Sequence, residues 1–398
     1  MKKIVTIGGG NGHSHILSAL YEGMREEKVS LQAVVSMSDD GRTTGKLMRL
    51  FDQSFSLYLP PTGDIRRCMY SLSSLKNKEI ISLLFEKSFY NENDISKFNL
   101  GELSRIIVEE LYQENKGLFG DKDEEKLFKK KEKLLKTMKE LFGDTKDFIL
   151  PLDESLLGHK FGNIVLASLF YNFGDYQKML DFMHEFFDTW GKVIPVTFDK
   201  ATIQAVLESG EIICTQDAIS NVVEYNEKIA YLELSPDSCE AYHTEDIKKC
   251  ISEADYIFIT PGDLYTSTIS NLIIGGIKEL IRDSKASLIY AVNNTNKGGE
   301  TTGYKVMDFV GEVEKYLGKS INMLIVNNKV PEIDREELEN LKQNISVKGG
   351  EFIYLTDEER ILLKKRGVTI YEDDFIDKDV LYKHNKKNIV KVLKKVIF

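Results

Sequence analysis

Lys3-Ile4-Val5-Thr6-Ile7 runs directly into Gly8-Gly9-Gly10-Asn11-Gly12, and this stretch decides the fold class. The first five residues read as a short, β-branched strand. After the glycines, Ser14 to Met24 carries apolar residues at Ile16, Leu17, Leu20 and Met24, the spacing of one helix face. Leu31 to Met37 is then a second strand, largely apolar as buried parallel strands are. A glycine turn between a first strand and a helix lets backbone N–H groups approach an anion at the helix N-terminus, where the peptide dipoles favour negative charge. The dinucleotide fingerprint G-x-G-x-x-G is incomplete, because His13 and His15 stand where its third glycine belongs. Gly41-Arg42-Thr43-Thr44-Gly45-Lys46-Leu47 is one residue short of a P-loop and lacks the hydroxyl after lysine. The turn therefore predicts a phosphate site of another kind. His13 and His15, two positions apart on a helix, point in different directions and read as hydrogen-bonded or exposed side chains rather than metal ligands.

Outward from this unit the theme repeats. Tyr256 to Ile259 leads into Thr260-Pro261-Gly262 and a helix expected from about Thr268 to Ile281. Ser287 to Val292 and Asn322 to Val326 are further core strands. The pattern predicts an α/β protein with a doubly wound, Rossmann-like parallel sheet, a helical insertion and a small β-rich excursion. Residues 1–89 and 156–330 form the core, 90–155 the helical insertion, and 331–398 a C-terminal α/β segment completing the core. The insertion carries one apolar stripe (Leu127, Phe128, Leu134, Leu135, Met138, Leu141 and Phe142), and its lysine-rich run reads as a solvated face. Val193 to Tyr242 is the β-rich excursion.

Composition narrows the class. The 398 residues include 53 Lys+Arg and 63 Asp+Glu, a net charge of −10 that argues against sequence-independent nucleic-acid binding. With 42% hydrophobic and 29% charged residues the chain is of ordinary globular type. No apolar run reaches the ~18 residues of a membrane span, and no signal-peptide core follows Met1, so a cytoplasmic protein without membrane insertion is expected. Cys68, Cys214, Cys239 and Cys250 lack C-x-x-C spacing and read as reduced thiols.

Further loops carry candidate chemistry. Ser38-Asp39-Asp40-Gly41-Arg42-Thr43-Thr44-Gly45-Lys46 follows the second strand, where doubly wound sheets bind ligands, and paired carboxylates there suit Mg²⁺, a ribose or a general base. Pro60-Pro61-Thr62-Gly63-Asp64-Ile65-Arg66-Arg67 joins an acid to two arginines suited to phosphate. Gly158-His159-Lys160-Phe161-Gly162-Asn163 and Thr260-Pro261-Gly262-Asp263-Leu264-Tyr265-Thr266-Ser267 each open a helix.

In this order, and with Val193–Thr197, Asn293-Asn294-Thr295-Asn296-Lys297-Gly298-Gly299-Glu300-Thr301-Thr302-Gly303-Tyr304, Val326–Asn328 and Tyr382–Asn385, these loops resemble the motif set of the CofD-like superfamily, in its gluconeogenesis-factor (YvcK-type) branch. The resemblance spans nearly the whole chain outside about 90–155. It implies a ligand cleft over the strand ends and a binder of UDP-sugars, chiefly UDP-N-acetylglucosamine, acting in envelope-precursor supply and cell shape. The related branch resembles the 2-phospho-L-lactate transferases, which use Mg²⁺ to move a phospho-acid from a nucleoside diphosphate donor to a deazaflavin. A regulator is favoured over this enzyme. Carried over by position, Gly9, Gly10, Asn11 and Gly12 line the phosphates, and Gly162 and Asn163 fall near the diphosphate. Gly262, Leu264, Tyr265 and Ser267 shape the nucleoside pocket, and Thr43, Thr44 and Arg66 complete the binding set. In an enzyme, Asp39, Asp40 and Asp64 would be catalytic, with Asp40 and Asp64 holding Mg²⁺. A homo-oligomer and a protein partner in amino-sugar metabolism are further expectations. Asn11 replaces a usual Thr, Arg67 an expected Asn, and Asp263 an expected Ser; Asp263 places negative charge where a diphosphate is expected.

Overall fold

The computed structural model describes residues 1–75, 78–88, 158–221, 227–329, 350–378, 380 and 382–398, with a few positions between 108 and 139. The apolar stripe of the helical insertion lies almost wholly outside the described residues. The chain divides into two compact units, one of Met1–Gly41 with Trp190–Phe398 and one of Arg42–Thr189.

The first unit is built on a seven-stranded sheet of order β10-β9-β8-β7-β1-β2-β3. Its strands are β1 (Lys2–Gly8), β2 (Val29–Val35), β3 (Lys192–Pro195), β7 (Tyr256–Ile259), β8 (Ser287–Ala291), β9 (Met323–Asn327) and β10 (Thr369–Asp373). Every pairing is parallel. Parallel strands need both faces covered, and Ile257, Phe258, Ile259, Leu288 and Ile289 are accordingly buried throughout. The predicted first helix forms as α1 (Gly10–Met24) and buries Ile16, Leu17, Leu20 and Met24, as its spacing requires. The C-terminal helix Lys386–Ile397 packs on it, so closely that a Cβ at Gly23 would lie 2.4 Å from Val390.

Strand order reverses between β1 and β7. From β1 the chain winds outward through β2 and β3, and from β7 it winds the other way through β8, β9 and β10. That junction is the topological switch point, the place over the strand ends where doubly wound sheets bind ligands.

The β-rich excursion is smaller than expected. Its first segment, Lys192–Pro195, pairs with β2 as the edge of the main sheet. Only β4 (Ile203–Leu207), β5 (Ile212–Cys214) and β6 (Ile229–Leu234) make a separate antiparallel sheet, in the order β5-β4-β6. The helix expected from Thr268 to Ile281 is also different. A π-helical turn at Leu264–Ile269 passes into Ser270–Leu272, and a new helix starts at Ile277. Gly275 and Gly276 cause the break: Gly276 has φ +83°, and Cβ atoms at the two would lie 2.6 and 2.5 Å from Tyr242.

The second unit, as described, is helical: Arg42–Phe55, Gly63–Ser71, Lys78–Glu86, Phe161–Phe173 and Tyr176–Phe187. Gly174, at φ +61°, ends the fourth of these with its N–H on the Phe170 carbonyl. Among the described residues of the chain, no helix is long and apolar enough to cross a membrane. All four cysteines are free thiols, Cys68 and Cys250 buried, Cys214 and Cys239 exposed.

Candidate functional site

The glycine turn after β1 meets the loop after β7 backbone to backbone. A Cβ at Gly12 would sit 2.2 Å from the Pro261 carbonyl oxygen, and one at Gly8 2.2 Å from Thr260 Oγ1. Gly10, at φ +64°, faces Ser267 Oγ, and a Cβ at Gly262 would come 3.4 Å from the Gly9 carbonyl oxygen. Side chains at these positions would push the two loops apart, so the glycines are what lets the loops approach each other this closely. Asn271 Nδ2 ties the loops together by donating to the carbonyls of Gly8 (3.3 Å) and Ser267 (2.8 Å). Asn293 clamps Gly262 on both sides, accepting from its N–H (3.4 Å) and donating to its carbonyl (2.6 Å). The helix α1 starts on Gly9 with no acidic residue in its first turn, and Asn11 is exposed there. Gly9, Gly10, Asn11, Gly12, Gly262 and Ser267 are thus brought together at the switch point.

Leu264 and Tyr265 belong to the same loop but are buried. The Tyr265 hydroxyl lies 2.8 Å from that of Tyr304 and donates to the Ile229 carbonyl at 3.3 Å, and burial raises its pKa well above the ordinary value. Its place is in the scaffold under the loop.

Beside this loop stands an ion cluster that single-sequence reasoning missed. Glu300, its side chain wholly buried, accepts from the N–H groups of Tyr265 (2.8 Å) and Thr266 (3.0 Å) and from Thr266 Oγ1 (3.3 Å). Lys297 Nζ donates to Glu300 Oε2 at 2.9 Å and to Asp263 Oδ2 at 2.6 Å. Burial lowers the Lys297 pKa, but the two carboxylates outweigh it and hold the ammonium above its ordinary value. Asp263 thus shares the Lys297 ammonium, from the loop after β8, with Glu300. The Gly-Gly-Glu-Thr-Thr-Gly stretch was legible as a motif, but not the burial of its glutamate.

The acidic loop after β2 is built inward. Ser36 Oγ lies 3.0 Å from both Ser38 Oγ and Ser270 Oγ. Asp39 accepts from the Gly41 N–H at 3.2 Å. Asp40 Oδ1 accepts from the N–H groups of Gln216 (2.9 Å) and Asp217 (3.3 Å), at the start of the helix Gln216–Asn221. Burial raises the Asp40 pKa, although those N–H groups oppose the shift. Asp40 is thus an anionic cap supplied from a distant loop.

The remaining candidates lie in the second unit. Thr43 and Thr44 stand in the first turn of the helix Arg42–Phe55 rather than in a loop. A Cβ at Gly158 would lie 4.0 Å from Thr43 Cγ2, and one at Gly162 would lie 2.5 Å from Arg66 Cδ. Thr43 thus lies against Gly158, and Arg66 against Gly162. Arg66 is turned inward: it is fully buried and donates to the Phe85 carbonyl (2.8 Å) and to Glu86 (2.6 Å). This geometry makes it a brace between helices rather than a phosphate ligand. Asp64 pairs with Arg67, and Asn163 Oδ1 is buried with no hydrogen-bond partner among the described residues. Among the described residues no three His, Cys, Asp or Glu side chains converge as metal donors. Asp40 is engaged within the first unit and Asp64 within the second.

His13 and His15 behave as their spacing suggests. His13 Nε2 lies 2.9 Å from Thr6 Oγ1, and His15 Nε2 lies 2.7 Å from the His384 carbonyl oxygen. His384 Nε2 in turn meets the Val292 carbonyl at 3.0 Å.

Comparison with known proteins agrees with this architecture. The chain is 25% identical to the gluconeogenesis factor of Bacillus subtilis over 395 residues, covering 98% of this chain and 96% of that protein. It is also 25% identical to the gluconeogenesis factor of Halalkalibacterium halodurans over 389 residues, covering 98% and 94%. A crystal structure of a UPF0052 family member from Bacillus halodurans superimposes with a TM-score of 0.71 at 24% identity, covering 99% of this chain and 98% of that one, and so shares the fold. The family described as 2-phospho-L-lactate transferase CofD matches residues 4–376, so the chain belongs to the CofD family.

Proposed function

We propose that this protein binds a UDP-sugar, with UDP-N-acetylglucosamine as the first candidate, and regulates envelope-precursor metabolism and cell shape as a gluconeogenesis factor. The observation that carries this reading is the glycine turn at the switch point, where α1 starts on glycine with no acid in its first turn and Asn11 is exposed. Such a helix start favours the phosphates of a nucleotide. The names of the two relatives support the gluconeogenesis-factor part of this reading. A binder needs a cradle but no base, and the acid of the Asp39–Asp40 pair that is engaged with the helix Gln216–Asn221 is consistent with binding rather than group transfer.

The test is a calorimetric titration with UDP-N-acetylglucosamine, GDP and GMP, each with and without Mg²⁺. Saturable, UDP-sugar-selective binding without a need for Mg²⁺ is expected. Asn11→Asp, which places a carboxylate in the first turn of α1, should weaken it about tenfold or more without lowering thermal stability. Guanosine-nucleotide binding that requires Mg²⁺ would overturn this reading in favour of the transferase.

A further inference from the structure

We infer that the edge strand β10 is an interface with a second copy of this chain, the two strands running antiparallel about a twofold axis at Tyr371 so that one sheet continues through both subunits. The inference is independent of the ligand reading above.

The main sheet ends on one side in β3 and on the other in β10. β3 carries Lys192 and Pro195, residue types that blunt an exposed edge. β10, Thr369-Ile370-Tyr371-Glu372-Asp373, has neither, and it pairs with β9 through all five residues without a bulge. None of the five is buried. The two acids of β10 are already paired inside the subunit, Glu372 with Arg360 at 2.7 Å and Asp373 with Lys391 at 3.4 Å.

Backbone polarity fixes the register. The Thr369 N–H donates to the Asn322 carbonyl, and the Asp373 carbonyl accepts from the Asn328 N–H. Alternation along the strand therefore turns Thr369, Tyr371 and Asp373 towards β9 and aims the N–H and C=O groups of Ile370 and Glu372 away from it. Among the described residues no hydrogen bond reaches those four groups. An antiparallel copy centred on Tyr371 sets Ile370 opposite Glu372 of the partner subunit. Residues so opposed exchange both of their hydrogen bonds, so every outward group of both strands is satisfied.

The helix over this edge is charged to match. Asp357–Lys365 packs on β10, opens with Asp357-Glu358-Glu359 and closes with Lys364-Lys365 before Arg366. A twofold axis that reverses the strand reverses the helix too, and brings the acidic turn of each copy beside the basic turn of the other. Arg360 reaches Glu372, so the middle of the helix lies level with the middle of the strand. There Ile361 and Leu362 are 54% and 50% exposed. The surface is thus complementary to itself: an unpaired edge, an apolar middle and opposite charges at its two ends.

The experiment is sedimentation equilibrium of the full chain at micromolar concentrations, with circular dichroism to check that each variant is folded. Wild type should sediment at twice the chain mass. Ile370→Pro removes an outward N–H without touching the ladder to β9, and should weaken the dimer about tenfold or more. Lys364→Glu with Lys365→Glu, and Asp357→Lys with Glu358→Lys, each oppose like charges across the axis and should weaken it similarly. An equimolar mixture of these two double variants should recover association close to that of wild type. If Ile370→Pro does not fold, the charge-exchanged pair decides alone. A monomeric wild type would leave the edge to some other chain and overturn the inference. Variants that associate as wild type does, or a mixture no tighter than its components, would overturn it as well.

Discussion

At the switch point, α1 begins on Gly9 with no acid in its first turn, whereas the turn Leu264–Ile269 begins on Asp263 with the Glu300 carboxylate against the N–H groups of Tyr265 and Thr266. Both are helix starts at the carboxyl ends of neighbouring parallel strands, and both present positive dipole ends to anions. One carries its anion internally, and the other starts on residues with no charge to offer. An internal carboxylate makes the second loop a rigid wall and leaves the first as the place where an external anion gains most. The supports differ too. The glycine side leans on the His15–His384 contact, the other on the ions of Lys297, Glu300 and Asp263.

The harshest way to break this comparison is Glu300→Ala. It leaves Lys297 to Asp263 alone and takes the acceptor from two buried backbone N–H groups, a cost of about 1–3 kcal/mol for each. A denaturant titration should show that loss, and a change below about 1 kcal/mol would mean that the wall does not depend on its internal anion.

Acid should act next, and on the other side. Burial lowers the His384 pKa to about 4, against 6.5 for an unhindered imidazole. Between those values the unfolded chain binds more protons than the folded one, so stability is lost as pH falls from about 6.5 towards 4. The contribution is on the order of 3 kcal/mol, and burial lowers the His15 pKa in the same direction. Denaturation midpoints at neutral and acid pH should separate in wild type and draw together in His384→Gln. Parallel pH profiles for the two proteins would show that the imidazole does not supply the acid sensitivity.

The smallest of the three effects is expected from Gly12→Ala. The new carbon would lie 2.2 Å from the Pro261 carbonyl oxygen, and backbone must move to admit it. A destabilisation of about 1–3 kcal/mol is expected from such overpacking. Ligand affinity should fall by more than stability does, because the glycine turn of the proposed site is what moves. Unchanged binding in a folded Gly12→Ala protein would remove the glycine turn from the site.

How much of this was legible depended on the range of the interaction. Ile16, Leu17, Leu20 and Met24 are buried as the spacing demanded, and β1, β2, β7, β8 and β9 were readable as apolar runs. β10 escaped because Thr369–Asp373 is an edge strand with a polar, half-exposed sequence. The Gly275–Gly276 pair was a visible stop signal inside a helix read as continuous. In the site, the glycine turn was local and could be read. Glu300 lies 35 positions from the N–H groups it serves at Tyr265, and nothing nearby in sequence marks a glutamate in a glycine-rich loop as buried. Arg66 misled for the same reason: an arginine beside Asp64 suggests phosphate, while its partners at Phe85 and Glu86 come from another helix.

The contact between Gly12 and Pro261 has a genetic corollary. Every missense change at a glycine codon adds at least one carbon, and at this position the first carbon already meets backbone. The cradle thus has no silent amino-acid neighbours one mutation away, and its shape is frozen against drift. Asp263, half-exposed with a charge answered by Lys297, sits at the opposite extreme. A change of charge there leaves the fold beneath intact.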